Sequence, residues 1–263
     1  MRHPAVAGSF YPSNPDSLLA MLREFVSPNP DPSIVACVAP HAGYMYSGRT
    51  AGRVYSLLPQ VETYVIVGPN HTSYGSAVAV STDTWLTPLG KVEVDREFVE
   101  ALPKRIIDMD EIAHRYEHSL EVQVPFLQFI NQGRNFKIVP ICLGLQDEET
   151  AREVAEEIIT AKEKTGREIV VVASSDMHHY LPDEECRRLD EIVIKAILSM
   201  DVSKYYKTIY DLQASVCGYG AIAVAMNYAK HYGGQAELVD YSTSGDVADK
   251  SSVVGYAGIV FRV

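Results

Sequence analysis

Tryptophan occurs once and cysteine four times in 263 residues. Cys37, Cys142, Cys186 and Cys217 are scattered, with no CxxC pair, which excludes the spacing of a zinc ribbon. Scattered thiols of this kind suit a reduced, cytoplasmic protein with most of its cysteines buried. Basic residues are also in deficit, 23 Lys and Arg against 34 Asp and Glu, for a formal charge of −11. Such a balance lacks the electrostatic footprint for nucleic acid or an anionic membrane. No window approaches the ~20 apolar residues of a spanning helix. The opening Met1-Arg2-His3-Pro4-Ala5-Val6-Ala7-Gly8-Ser9-Phe10 does not have the shape of a signal peptide. There is no repeat, low-complexity run or linker, so one domain over residues 1–263 is expected.

What is present is an alternation of strands and helices. After a turn-rich lead-in from Met1 to Pro12, Asn14-Pro15-Asp16 starts a helix through Phe25, with Leu18, Leu19, Leu22 and Phe25 at helical spacing. Strands are predicted over Ser33 to Ala39 and Thr63 to Val67, with a helix over Ser47 to Leu58 between them. Ser76 to Thr82 and Lys91 to Val94 alternate around Trp85-Leu86-Thr87-Pro88-Leu89-Gly90, the pattern of a hairpin excursion. A short helix over Asp95 to Leu102 follows, then another over Glu117 to Ile130 that Pro125 bends or divides. The strand Phe136 to Leu143, helix Glu148 to Lys164 and very apolar strand Ile169 to Ala173 restore the alternation. Helices over Pro182 to Ser199, Val202 to Asp211 and Tyr219 to Tyr232, then strands Ala236 to Tyr241 and Val253 to Phe261, close the chain. The expected fold is a three-layer α/β/α domain with a mostly parallel central sheet.

Ligands of such sheets bind at the carboxyl ends of the strands. Two of those ends break on Pro and Gly and then present a histidine: Pro40-His41-Ala42-Gly43-Tyr44 and Gly68-Pro69-Asn70-His71. Two imidazoles on one edge can share a metal or a substrate. Ser174-Ser175-Asp176-Met177-His178-His179 reaches the same edge after the Val-rich strand. Asp176 is a candidate ligand or partner of a histidine, and alternation turns one of His178 and His179 inward. In Glu117-His118-Ser119-Leu120-Glu121, helical spacing puts His118 and Glu121 on one face, as a proton-transfer or ligand pair. Cys217 precedes a helix start, a position that lowers a thiol pKa.

Taken together, Ala5-Val6-Ala7-Gly8-Ser9-Phe10-Tyr11-Pro12, Pro40-His41-Ala42-Gly43-Tyr44 with Tyr46-Ser47-Gly48, Gly68-Pro69-Asn70-His71, Glu117-His118-Ser119-Leu120-Glu121, Ser174-Ser175-Asp176 and Cys217-Gly218 resemble the Memo family. The match runs in order over nearly the whole chain. Bacterial and archaeal members are also known as protein B of the AmmeMemoRadiSam system, after gene neighbours encoding an AMMECR1-type protein and a radical SAM enzyme. The family is similar in fold to LigB-type class III extradiol dioxygenases, which hold non-haem iron. The resemblance implies a metal pocket of His41, His71 and Cys217, lined also by His179. Facial-triad iron oxygenases use two histidines and a carboxylate; here a thiolate would stand in the carboxylate's place.

Three functions follow as expectations. The first is a metal-dependent oxidoreductase, with iron or else copper on His41, His71 and Cys217. His118 or His179 would serve as acid or base, with Asp176 and Glu121 in support, on a small molecule in the strand-edge cleft. The second is a metal-assisted or thiol hydrolase using Cys217. The third is a binding protein whose cleft takes a peptide or an AMMECR1-type or radical SAM partner.

Overall fold

The computed structural model describes residues 1–263. In chain order the elements are α1 (Pro15–Phe25), β1 (Ile34–Ala39), α2 (Tyr44–Leu57), β2 (Thr63–Pro69), β3 (Val78–Val80), β4 (Trp85–Thr87) and β5 (Gly90–Val94). Then come α3 (Arg96–Ala101), β6 (Asp108–Met109), α4 (Val124–Ile130), β7 (Lys137–Leu143), α5 (Glu148–Thr165), β8 (Ile169–Ser174) and β9 (His179–Leu181). The chain ends with α6 (Asp183–Leu198), α7 (Val202–Asp211), α8 (Tyr219–His231), β10 (Gln235–Thr243) and β11 (Val253–Arg262).

The main run of the sheet is β10-β11-β1-β8-β2-β7-β3-β6. Its centre, β1-β8-β2-β7, is parallel throughout. These four strands are buried almost without interruption, which is why their sequences are continuous apolar runs and not alternations. Antiparallel strands flank them: β11 joins β1 and carries β10 at one side, and β3 joins β7 at the other. Helices α1, α2 and α4 pack together as one layer, and α5, α6, α7 and α8 as another. Helix α8 lies across β8, β1 and β2, and its small residues Gly220, Ala221, Ala223 and Ala225 are all buried, allowing close approach to the sheet. No helix is long and apolar enough to cross a membrane.

Local signals set the helix starts. Asn14 accepts a hydrogen bond from Ser17 N at 3.0 Å and Pro15 occupies the first turn of α1. Asp147 caps α5 in the same way through Thr150 N, and Gly166 ends it in the left-handed conformation.

Two elements differ from the sequence expectation. The hairpin is β4 with β5 alone, while Val78–Val80 leaves it to extend the main sheet on β7. Trp85 explains the separation: its indole is buried and donates to Ser81 Oγ at 3.0 Å, folding the intervening chain back. The helix expected over Glu117 to Ile130 is a loop to Leu120, one 3₁₀ turn over Glu121–Gln123, then α4. Pro125 sits in the first turn of α4, where its missing N–H costs nothing, so it starts a helix instead of bending one.

Candidate metal centre

Strands β1, β2 and β8 end side by side and release His41, His71 and Asp176 within a few residues of their last ladder bonds. His41 is the most completely specified. Its backbone N–H donates to Asp176 Oδ1 at 2.8 Å, and its Nδ1 lies 2.9 Å from Ser174 Oγ. The Ser174 hydroxyl itself donates to the Ser119 carbonyl at 2.6 Å, because a carbonyl can only accept. Ser174 Oγ must therefore accept from His41 Nδ1–H, which leaves the His41 Nε2 lone pair facing the cleft. Gln123 Nε2 also donates to Ser174 Oγ, at 2.8 Å, and fixes the arrangement. Burial holds the His41 pKa well below its ordinary value, helped by the nearby His118, His71 and His179, so the ring is neutral.

His71 is exposed at the cleft and rests on Glu117, with Nδ1 2.9 Å from Oε1. Burial alone would raise Glu117, but hydrogen bonds from His71 and Ser119 and the charges of His71 and His118 hold its carboxyl down at about 2. The His118 ring stacks on His71 with centroids 4.6 Å apart and stands edge-on to His41 at 5.4 Å. Phe10 backs it at 4.8 Å, and burial lowers its pKa.

Cys217 arrives from the turn before α8. Its Sγ lies 3.1 Å from His41 Nε2 and accepts from Asp176 N at 3.3 Å. Gly218 permits this approach, since a Cβ there would sit 2.4 Å from Ser174 O. Gln146, just past β7, bonds both Cys217 O and Gly220 N and pins the turn. The expectation of an acidified thiol is reversed: burial pushes the Cys217 thiol up, and the Asp176 carboxylate adds to it. The helix-terminus effect is overridden by desolvation. Asp176 is itself raised to about 6 by burial, against the hydrogen bond from His41 N.

The two adjacent histidines divide clearly. His178 is buried against Asp190, Nδ1 to Oδ1 at 2.6 Å. His179 is half-exposed and donates Nδ1–H to the Ser215 carbonyl at 2.8 Å, in the turn that leads to Cys217. His179 is thus the member on the cleft side.

Glu121 is a correction. Its carboxylate accepts from Ala5 N and Val6 N in partly buried bonds and from the Tyr11 hydroxyl in a buried one, and pairs with the buried Arg2 at 2.7 Å. Those partners occupy the carboxylate, so Glu121 ties the N-terminal segment beneath the site and takes no place in the cleft. The pairing with His118 required a helix that the chain does not form here. Glu117, Ser174, Gln123 and Gln146 are the residues that motif reading missed. Glu117 and Ser174 had a visible signal, since both lie within the quoted motifs, Glu117 directly before His118 and Ser174 two residues before Asp176.

Two sets of donor atoms lie within 4.8 Å of one another: His41, His71 and His118, and His41, Asp176 and Cys217. They share His41, while His71 belongs to one and Cys217 to the other. Neutral imidazoles with bound Nδ1 protons and free Nε2 lone pairs are the form that ligates a metal, so the donor set fits one.

A family model described as Memo-like protein matches residues 2–260. A MEMO1 family protein of Archaeoglobus fulgidus is 78% identical over 263 residues, covering the whole of both chains. One from Methanosarcina barkeri is 52% identical over 264 residues, 99% of each chain. The crystal structure of an uncharacterized protein from Escherichia coli K12 is similar in fold, with a TM-score of 0.56 at 14% identity over 86% of this chain and 99% of that one. With a family model spanning nearly every residue and a full-length relative at 78% identity, the chain belongs to the Memo family.

Proposed function

We propose that the cleft is the metal centre of an oxidoreductase acting on a small molecule, with iron as the resident metal and copper as the alternative. The observation that carries this reading is His41: buried, neutral, held through Nδ1 by Ser174, and presenting Nε2 to donors on both sides. His71 would bind from one side through Nε2 and Cys217 from the other through Sγ. When bound, the metal supplies a redox centre and Lewis acid, and it ionises the Cys217 thiol that burial otherwise keeps protonated.

The surrounding residues supply proton handling. His118 sits beside His41 and His71 with a lowered pKa, so it is a base at neutral pH and can accept a proton from a substrate hydroxyl. His179, its Nδ1 proton committed to Ser215 O, can accept a proton at Nε2. Asp176 orients His41 through the backbone and, near pH 6, can hold or release a proton of its own. The raised thiol argues against the thiol-nucleophile form of the hydrolase reading, which needs a ready thiolate in the metal-free protein.

One observation favours a binding role for the same cleft. Tyr46, Tyr74, Tyr116 and Tyr180, each close in sequence to a cleft histidine, are exposed by 39, 57, 64 and 76%. Exposed tyrosines are typical of surfaces that take a peptide or partner, including an AMMECR1-type or radical SAM protein. Anaerobic addition of Fe(II) or Cu(I), followed by elemental analysis, separates the readings. One metal per chain, lost in His41→Ala and His71→Ala, supports the metal centre. Full stoichiometry in both variants, or no uptake beside tight binding of an AMMECR1-type partner, overturns it.

A further inference from the structure

His71 and His118 are stacked over one carboxylate, yet they do not share it equally. Glu117 Oε1 accepts from His71 Nδ1 at 2.9 Å, His118 N at 2.9 Å and Ser119 N at 2.8 Å, while Oε2 accepts from His71 N. Three donors already converge on Oε1. His118 Nδ1 lies 3.5 Å from that same oxygen, too far for a good hydrogen bond, and its ring has no hydrogen-bond partner within the chain. Arg2, the nearest cation, does not compete for the carboxylate. Its guanidinium bonds the carbonyl oxygens of Glu117 and His114 and the side chain of Glu121. The imidazole proton that Glu117 holds is therefore that of His71.

We propose that Glu117 is a positioning residue that divides labour between the two stacked histidines. It locks His71 in the Nδ1–H tautomer, so that Nε2 is a fixed donor toward the cleft, and it leaves the His118 ring free to exchange tautomers. What the fixed donor binds rests on the metal-centre reading; the tautomer assignment does not. The carboxylate is needed in particular, because all four groups facing it are donors. A Gln at this position would turn its NH2 toward at least one N–H.

The test is ¹⁵N-edited NMR of the histidine side chains in the full-length, metal-free protein, paired with Fe(II) titration. In the wild-type protein His71 should appear as a single Nδ1–H tautomer and His118 as an exchanging mixture. In Glu117→Gln, His71 should lose its single tautomer and Fe(II) affinity should fall about 10–100-fold, with the His41 signals unchanged. A wild-type His71 in the Nε2–H form, or a Glu117→Gln variant with the same tautomer and affinity, overturns the proposal. Should that variant not fold, the wild-type spectrum decides alone. A correct tautomer in a protein that takes up no Fe(II) would uphold Glu117 and sink the metal centre.

Discussion

Replacing Glu121 by Ala separates a residue that supports the cleft from one that works within it. The Arg2–Glu121 pair is 2.7 Å apart with side chains 4 and 1% exposed. Removing one partner of a buried ion pair costs about 3–5 kcal/mol, because the other charge stays buried. Ala5 N, Val6 N and the Tyr11 hydroxyl also lose their acceptor, each worth about 1–3 kcal/mol if left dry. Two features moderate the sum. Arg2 keeps its bonds to His114 O and Glu117 O and its place over the Trp85 ring, and water can enter beside the exposed lead-in. A loss of about 4 kcal/mol is expected, a large part of the roughly 5–15 kcal/mol by which domains are stable. Urea unfolding measures it, with metal stoichiometry determined under native conditions on the same samples. Destabilisation with metal uptake retained fits the structure. A variant of unchanged stability that fails to bind Fe(II) would put Glu121 back in the cleft and refute the reasoning.

Other outcomes follow from the same geometry. Burial, with the nearby Arg2 charge, holds His114 at about 4, so the folded state resists its protonation. Its contribution is complete above the unfolded value of 6.5 and is lost as pH falls from there toward 4, about 3 kcal/mol in all; His114→Gln should flatten the dependence of Tm on pH in that window. Gly255→Ala would place a Cβ 1.8 Å from Asp190 Oδ2, displacing the carboxylate that holds His178 and Tyr241. A loss of about 3 kcal/mol by urea denaturation is expected. The metal-free protein should label slowly at Cys217 with iodoacetamide at neutral pH, since burial keeps the thiol protonated; rapid labelling would restore the thiol-nucleophile reading.

The sequence made the strand ends readable because β1, β2 and β8 are continuous apolar runs that stop on Pro, Gly or Ser. Whatever follows such a strand is delivered to one edge, so His41, His71, Asp176 and His179 could be named without coordinates, whereas Cys217, which precedes α8, was marked as a ligand by the family resemblance. What supports them could not. Ser174 and Glu117 matter through hydrogen bonds to residues 133 and 46 positions away, and no local pattern encodes such a partner. Glu121 was misread for a related reason. Its partners lie more than 100 residues earlier, and the 3₁₀ turn that aims it at them replaced the regular helix its spacing implied. The Cys217 thiol shows local inference losing to desolvation, since a helix start does not acidify a half-buried thiol set beside Asp176.

Anomalous scattering from crystals grown with Fe(II) under anaerobic conditions puts the His41-centred cleft to the most direct test. A single peak about 2.1 Å from His41 Nε2, with His71 and Cys217 completing the contacts, is the predicted result. An empty cleft, or a metal bound elsewhere with the His41 ring still bonded only to Ser174 and Cys217, would contradict it.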